Sequence, residues 1–138
     1  MPLDAPDQAL EHLAHLGRET VLVVEDEPSI RLLACEMLEA HGYEALSAAS
    51  GEEALGIAVR HAGPIDLLLA DVVMPGLTGP ALAERFTVVR LQARVLFMSA
   101  YAGDDLVRRG LPEDTAHLVP KPSTADLLGR RVREALDG

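Results

Sequence analysis

The chain has no tryptophan, two tyrosines, two phenylalanines and one cysteine in 138 residues, and 22 acidic residues against 12 lysines and arginines. Each shortage removes a class of function. A lone cysteine, Cys35, can form neither an internal disulfide nor a thiolate metal cluster, which suits a reducing cytoplasm. It reads as a small packing residue on a helix. A formal charge of −10 repels nucleic acid and anionic membranes, and there is no basic run and no tryptophan to stack on bases. No apolar run is long enough to cross a bilayer, and the N-terminus lacks the basic-then-apolar order of a secretory signal. Neither nucleic-acid binding nor membrane insertion is expected. Proteins and small molecules are the partners that remain.

What is present suffices for one folded domain. Apolar residues make up 49% of the chain, enough for a proper core at this length. From Thr20 onward, short β-rich runs alternate with segments of helical period. "TVLVV" predicts a first strand. Pro28 suits the first turn of a helix with the apolar stripe Ile30, Leu33, Ala34, Met37 and Leu38, and Gly42 ends it. "YEALSAA" predicts a second strand. Ser50 and Glu53 form a capping box for a helix with the stripe Ala54, Leu55, Ala58, Val59 and Ala62. "IDLLLA" predicts a third strand whose near-continuous apolarity implies burial on both faces. A helix after Thr78, Gly79 and Pro80 uses Leu82, Ala83, Phe86 and Val89, and "RVLFM" predicts a fourth strand. A short helix over 104–109 and a fifth strand, "AHLV", follow. Ser123 and Asp126 cap a last helix carrying Leu127, Leu128, Val132, Ala135 and Leu136.

Five β-α units in succession predict a parallel sheet with helices on both faces. In such sheets ligands sit beyond the carboxyl ends of the strands. Strand one ends on Glu25 and Asp26, strand three on Asp71, strand four on Ser99, and strand five on Lys121. Three carboxylates are thus expected on one rim. At ~4 Å and an effective dielectric near 20, each pair of ionised carboxylates repels by about 4 kcal/mol, which one lysine does not offset. Either the acids take up protons or a divalent cation sits among them. Oxygen ligands without nearby histidine or cysteine favour Mg²⁺. Asp71 would then stand as a nucleophile towards phosphorus, with Lys121 and Ser99 stabilising the developing charge. Taken singly, each residue has a plainer reading: Asp26 as a helix-end charge, Lys121 on the surface, Ser99 in a turn. Their register on successive strand ends favours the site.

The acidic pair in "VVEDE", the loop "DVVMPGLTG", the hydroxyl in "MSAY" and the lysine in "PKP" together resemble the receiver domain of two-component response regulators, and receivers attached to hybrid sensor histidine kinases in particular. The resemblance runs from about Thr20 to Leu136. It implies a flavodoxin-like doubly wound five-stranded parallel sheet of order 2-1-3-4-5, with residues 20–138 as the domain and 1–19 as an extension or linker. It implies phosphorylation on Asp71 from a histidine kinase or histidine phosphotransfer protein. Mg²⁺ would be held by Asp26, Asp71 and the main-chain carbonyl of Val73, with Glu25 acting through metal-bound water. Lys121 and Ser99 would contact the phosphoryl group, and Val73 would tune its lifetime. The role is regulatory: the domain promotes its own Mg²⁺-dependent phosphorylation and dephosphorylation, and switches an output protein the sequence does not name. Monomer and homodimer both remain open.

One position departs from the family's pattern: Leu118 stands where the family places a switch phenylalanine or tyrosine. Tyr101, two residues after Ser99, matches receivers attached to hybrid sensor kinases; it would replace that switch or shield the phosphoryl group from water, and its plainer reading is an ordinary rim tyrosine. Leu118 keeps open a receiver-like interaction module that works without phosphorylation. A haloacid-dehalogenase-type enzyme also uses a strand-end aspartate, but needs a second acid two residues later, where Val73 stands. The five histidines form no site: His12 and His15 have helical spacing without a further ligand, His41 and His61 fall near helix ends, and His117 falls in a strand. The stretch "DQALEHLAHLG" carries a partial apolar stripe, Leu10, Leu13 and Ala14.

Overall fold

The computed structural model describes residues 18–99, 118–121 and 124–138. The short helix expected over 104–109, Tyr101, Ser123, His117 and the N-terminal stretch with His12 and His15 lie outside them. Five strands, β1 (Thr20–Val24), β2 (Glu44–Ala48), β3 (Leu67–Asp71), β4 (Arg94–Ser99) and β5 (Leu118–Pro120), form one sheet of order β2-β1-β3-β4-β5. Every pairing is parallel. The helices are α1 (Pro28–Ala40), α2 (Gly51–Arg60), α3 (Gly79–Val89) and α4 (Ala125–Asp137).

Strand periodicity divides the core in two. Val21, Val23, Leu67, Leu69, Leu96, Met98 and Val119 face Ala34 and Leu38 of α1 and Leu128 and Val132 of α4. Leu22, Val24, Leu68 and Ala70 face Ala54 and Ala58 of α2 and Leu82 and Phe86 of α3. Because helices cover both faces, β1 and β3 are fully buried along their length, which is why their sequences read as continuous apolar runs. Cys35 packs at the edge of the first cluster.

The helix ends follow local chemistry. Pro28 opens α1, and Gly42 adopts φ 89° beyond its last turn, a left-handed position that favours glycine. Ser50 Oγ accepts from the Glu53 amide at 3.1 Å, while Glu53 Oε2 accepts from Ala49 N at 3.0 Å. The N-cap of α4 is Thr124, which accepts from Leu127 N at 3.1 Å, one residue later than the expected Ser123.

Three stripe residues within the helices are not core. Val59 is 71% exposed, Leu33 48% and Val89 46%. In α2, Ala54 and Ala58 point inward one turn apart, and Val59 is rotated by a further residue towards solvent. The helix stops at Arg60, so Ala62 lies beyond it and is exposed.

Two side chains fasten the helix ends to the rest. Arg90, just after α3, donates to the carbonyls of Ala58 (3.0 Å), His61 (2.7 Å) and Gly63 (2.8 Å), closing the C-terminal end of α2. On the opposite flank, Arg133 of α4 grips Glu19 through Nη2–Oε2 at 2.6 Å and Nη1–Oε1 at 3.2 Å. That hydrogen-bonded guanidinium lowers the Glu19 carboxyl to about 2. His41 is buried, its Nδ1 3.0 Å from the Met37 carbonyl, so it does sit at the helix end but as an interior residue. Its ring lies over Gly129, where a Cβ would approach it to 2.6 Å.

Gly129→Ala is therefore expected to destabilise the domain by about 1–3 kcal/mol, as over-packing does, despite alanine's better helix propensity. Urea unfolding of the two proteins measures it; equal or greater stability of the variant would show that the α1–α4 contact is loose.

Candidate phosphoacceptor site

Parallel pairing brings the carboxyl ends of β1, β3, β4 and β5 to one edge, and the sequence places its chemistry there. Glu25 and Asp26 follow β1, Asp71 closes β3, Ser99 closes β4 and Lys121 follows β5. Glu25, Asp26 and Asp71 each offer a carboxylate oxygen within 4.8 Å of the others. Glu25 and Asp71 are buried and Asp26 is exposed. The Lys121 ammonium spans the two buried acids, 2.9 Å from Glu25 Oε1 and 3.1 Å from Asp71 Oδ2. Its main-chain N–H donates to the Ser99 carbonyl at 2.9 Å, which ties β5 to β4 at the site.

The N-cap of α1 is Glu27, whose carboxylate accepts from Ser29 N at 3.4 Å and Ser29 Oγ at 3.0 Å. Asp26 is thus not spent on the helix end. On the other side of the rim, Asp71 Oδ1 accepts from Val73 N at 3.3 Å. The loop that follows is drawn tight: Gly79 N donates to the Val72 carbonyl at 3.0 Å. A Cβ on Gly79 would overlap the carbonyl oxygen of Asp71 and crowd Val72 Cα at 3.0 Å. The glycine is required there because the start of α3 rests directly on the end of β3. Val73, Phe97 and Leu118 each pack against the buried Val72 in a small apolar cluster.

Burial and neighbouring charge together set the protonation. Burial, then the hydrogen-bonded Asp71 carboxylate, push Glu25 up to about 7, while Lys121 pulls in the other direction. Burial alone would lower Lys121, but its bonds to Glu25 and Asp71 outweigh that and hold it above its ordinary value. Glu25 Oε2 is buried without a hydrogen-bond partner, a costly state for an acceptor. An unsatisfied oxygen beside two further carboxylates fits a hard divalent cation with oxygen ligands, and Mg²⁺ suits so small a carboxylate set.

Sequence reasoning picked out the residues at the rim but missed two that support it. One is Gly79 as the seat of the Asp71 carbonyl, legible only as a glycine at a helix start. The other is Arg31, whose Nη1 donates to the Glu25 carbonyl at 2.8 Å. An arginine one turn into the helix after an acidic strand end was the signal available.

A doubly wound parallel sheet with an acidic cluster and a lysine at its carboxyl edge is the arrangement of a regulatory phosphoacceptor class. The chain belongs to the response regulator receiver domain family, which matches residues 21–133. It is 36% identical over 138 residues to the sensor kinase CckA of Brucella abortus (strain 2308), covering 99% of this chain and 14% of that protein. It thus spans a small part of that relative. It is 30% identical over 118 residues to sporulation initiation phosphotransferase F of Bacillus subtilis (strain 168), covering 86% of this chain and 94% of that one. The crystal structure of the receiver domain from the hybrid histidine kinase CckA superposes with a TM-score of 0.69 at 41% identity, covering 85% of this chain and 98% of that one. The protein is a two-component receiver domain, homologous to phosphoacceptor domains of hybrid kinases and response regulators, and receivers of this kind work with histidine kinases or phosphotransfer proteins. Among the described residues no helix is long and apolar enough to cross a membrane.

Glu25 gives a pH signature in Mg²⁺-free buffer. Its folded value of about 7 lies above the ordinary 4.5, so between those values the native state keeps a proton that the unfolded chain has lost. Its contribution to stability is full below about pH 4.5 and falls as pH rises through 7. Glu25→Gln is expected to flatten that decline; urea midpoints at a series of pH values across the window measure it, and an unchanged slope would place the proton elsewhere.

Proposed function

We propose that Asp71 accepts a phosphoryl group from the phosphohistidine of a kinase or phosphotransfer protein, with Mg²⁺ as cofactor, and that the phosphorylated domain changes its binding to an output protein. The single observation that carries this is the gathering of Glu25, Asp26, Asp71 and Lys121 from three strand ends onto one rim. An Asp71 carboxylate oxygen attacks phosphorus, the P–N bond to the donor imidazole breaks, and its electron pair returns to the imidazole nitrogen. Lys121, already 3.1 Å from Asp71 Oδ2, stands to meet the negative phosphoryl oxygens. Ser99, at the end of the neighbouring strand, contacts them after transfer.

Glu25, Asp26, Asp71 and the Val73 carbonyl would hold the cation, which supplies charge neutralisation of the transferring group when bound. The carboxylate cluster and the unpaired Glu25 oxygen support that assignment. With those ligands the domain promotes its own phosphorylation and dephosphorylation. Val73 and Leu118, packed in one cluster beside the site, tune how long the phosphoryl group persists, and Tyr101 is a third tuning position. Residues 20–138 are the receiver and 1–19 an extension or linker. Likeness to a hybrid kinase's receiver favours a cytoplasmic phosphorelay with a histidine kinase as donor.

Acetyl phosphate with Mg²⁺ is expected to add one phosphoryl mass to the wild-type protein and none to Asp71→Asn, read by intact-mass spectrometry. Mg²⁺ should raise the thermal midpoint, and Asp26→Ala should blunt the rise. A wild-type protein that takes up no phosphoryl group from small donors or from kinases would instead favour an interaction module that works without phosphorylation.

A further inference from the structure

Arg31 lies in the first turns of α1 and is half-buried, yet its guanidinium turns back to the loop it came from. Nη1 donates to the main-chain carbonyl of Glu25 at 2.8 Å. That carbonyl belongs to the peptide joining Glu25 to Asp26, the two acids contributed by β1. The same residue is held on its other side by Glu25 N, which donates to the Ala48 carbonyl at 3.1 Å. The turn is therefore pinned twice, once by β2 and once by Arg31.

The two pins act on different atoms. The Ala48 bond extends the sheet register by one residue and fixes Glu25. Beyond it, the chain leaves the sheet, and Asp26 is exposed. The orientation of the Glu25–Asp26 peptide plane sets where the Asp26 side chain starts, because a peptide plane leaves only the flanking φ and ψ free. Arg31 is what fixes that plane from the helix side. The bond is charge-assisted, which makes it stronger than a neutral one. Its donor is one N–H of a rigid planar guanidinium, so the direction as well as the distance is defined.

We propose that Arg31 is a positioning residue of the cation site: by holding the Glu25 carbonyl it orients the Glu25–Asp26 peptide and so places the Asp26 carboxylate against Glu25 and Asp71. This rests on the cation site proposed above. Outer-shell groups that orient metal ligands typically contribute 10–100-fold to metal affinity, and Arg31 has that relation to Asp26 through main chain rather than side chain. A lysine at position 31 offers a flexible ammonium in place of a rigid planar donor, and recovers part of the effect.

Titration of the thermal midpoint with MgCl₂ gives an apparent Mg²⁺ affinity without any phosphoryl transfer. Arg31→Ala is expected to weaken that affinity by about 10–100-fold while the Mg²⁺-free midpoint moves little, with Arg31→Lys intermediate. Leu32→Ala, on the exposed side of the same turn, should titrate as wild type. If Arg31→Ala does not fold, the comparison of Arg31→Lys with wild type decides: an unchanged Mg²⁺ affinity overturns the proposal. So does a wild-type affinity in Arg31→Ala. A wild-type protein that shows no Mg²⁺ response at all sinks the cation site itself, and the Arg31 proposal with it.

Discussion

The chemistry-bearing rim depends on a cation reaching across a gap that the backbone cannot close. Glu25 and Asp71 sit at the ends of adjacent parallel strands, both buried, and parallel pairing forces those ends together. Two carboxylates so placed repel, and taking them out of water raises the cost. Lys121 arrives from β5, beyond the intervening β4, and touches both. The favourable energy for assembling this edge is made elsewhere, in the two apolar layers where each fully buried leucine contributes about 1.5–3 kcal/mol. The domain can hold an unfavourable cluster because the sheet beneath it is stabilised independently of the rim.

That separation also explains what could be read from the sequence. β1 and β3 were legible because strands covered on both faces must be apolar at every position, and the end of such a run marks the rim. Glu25, Asp26, Asp71, Ser99 and Lys121 were legible as chemistry-bearing residues at those ends, and their register supplied the specificity that each lacked alone. The helices were less legible. Val59, Leu33 and Val89 satisfy an apolar stripe on paper, yet the inward face of a short helix beside a sheet is narrow, and alanines at 54 and 58 fill it. Asp26 could be mistaken for a helix cap until Glu27 was found in that role.

What escaped entirely were contacts to main chain and contacts defined by a missing Cβ. Arg31 and Arg90 bind carbonyls, and a carbonyl has no residue type to betray it. Gly129 interrupts a helix at a cost in propensity, which is a hint of close approach, but nothing in the sequence names the His41 ring as the neighbour.

The two flanks are consequently joined by devices of opposite character. Between α1 and α4, His41 against Gly129 is a lock and key, and a change on either side must be answered by the other. Between α2 and α3, Arg90 holds only atoms that every amino acid possesses. Substitutions at 61 and 63 that keep the backbone path leave its grip intact, so the outward surface of that flank is free to diversify over descent while the opposite flank is constrained to change in concert.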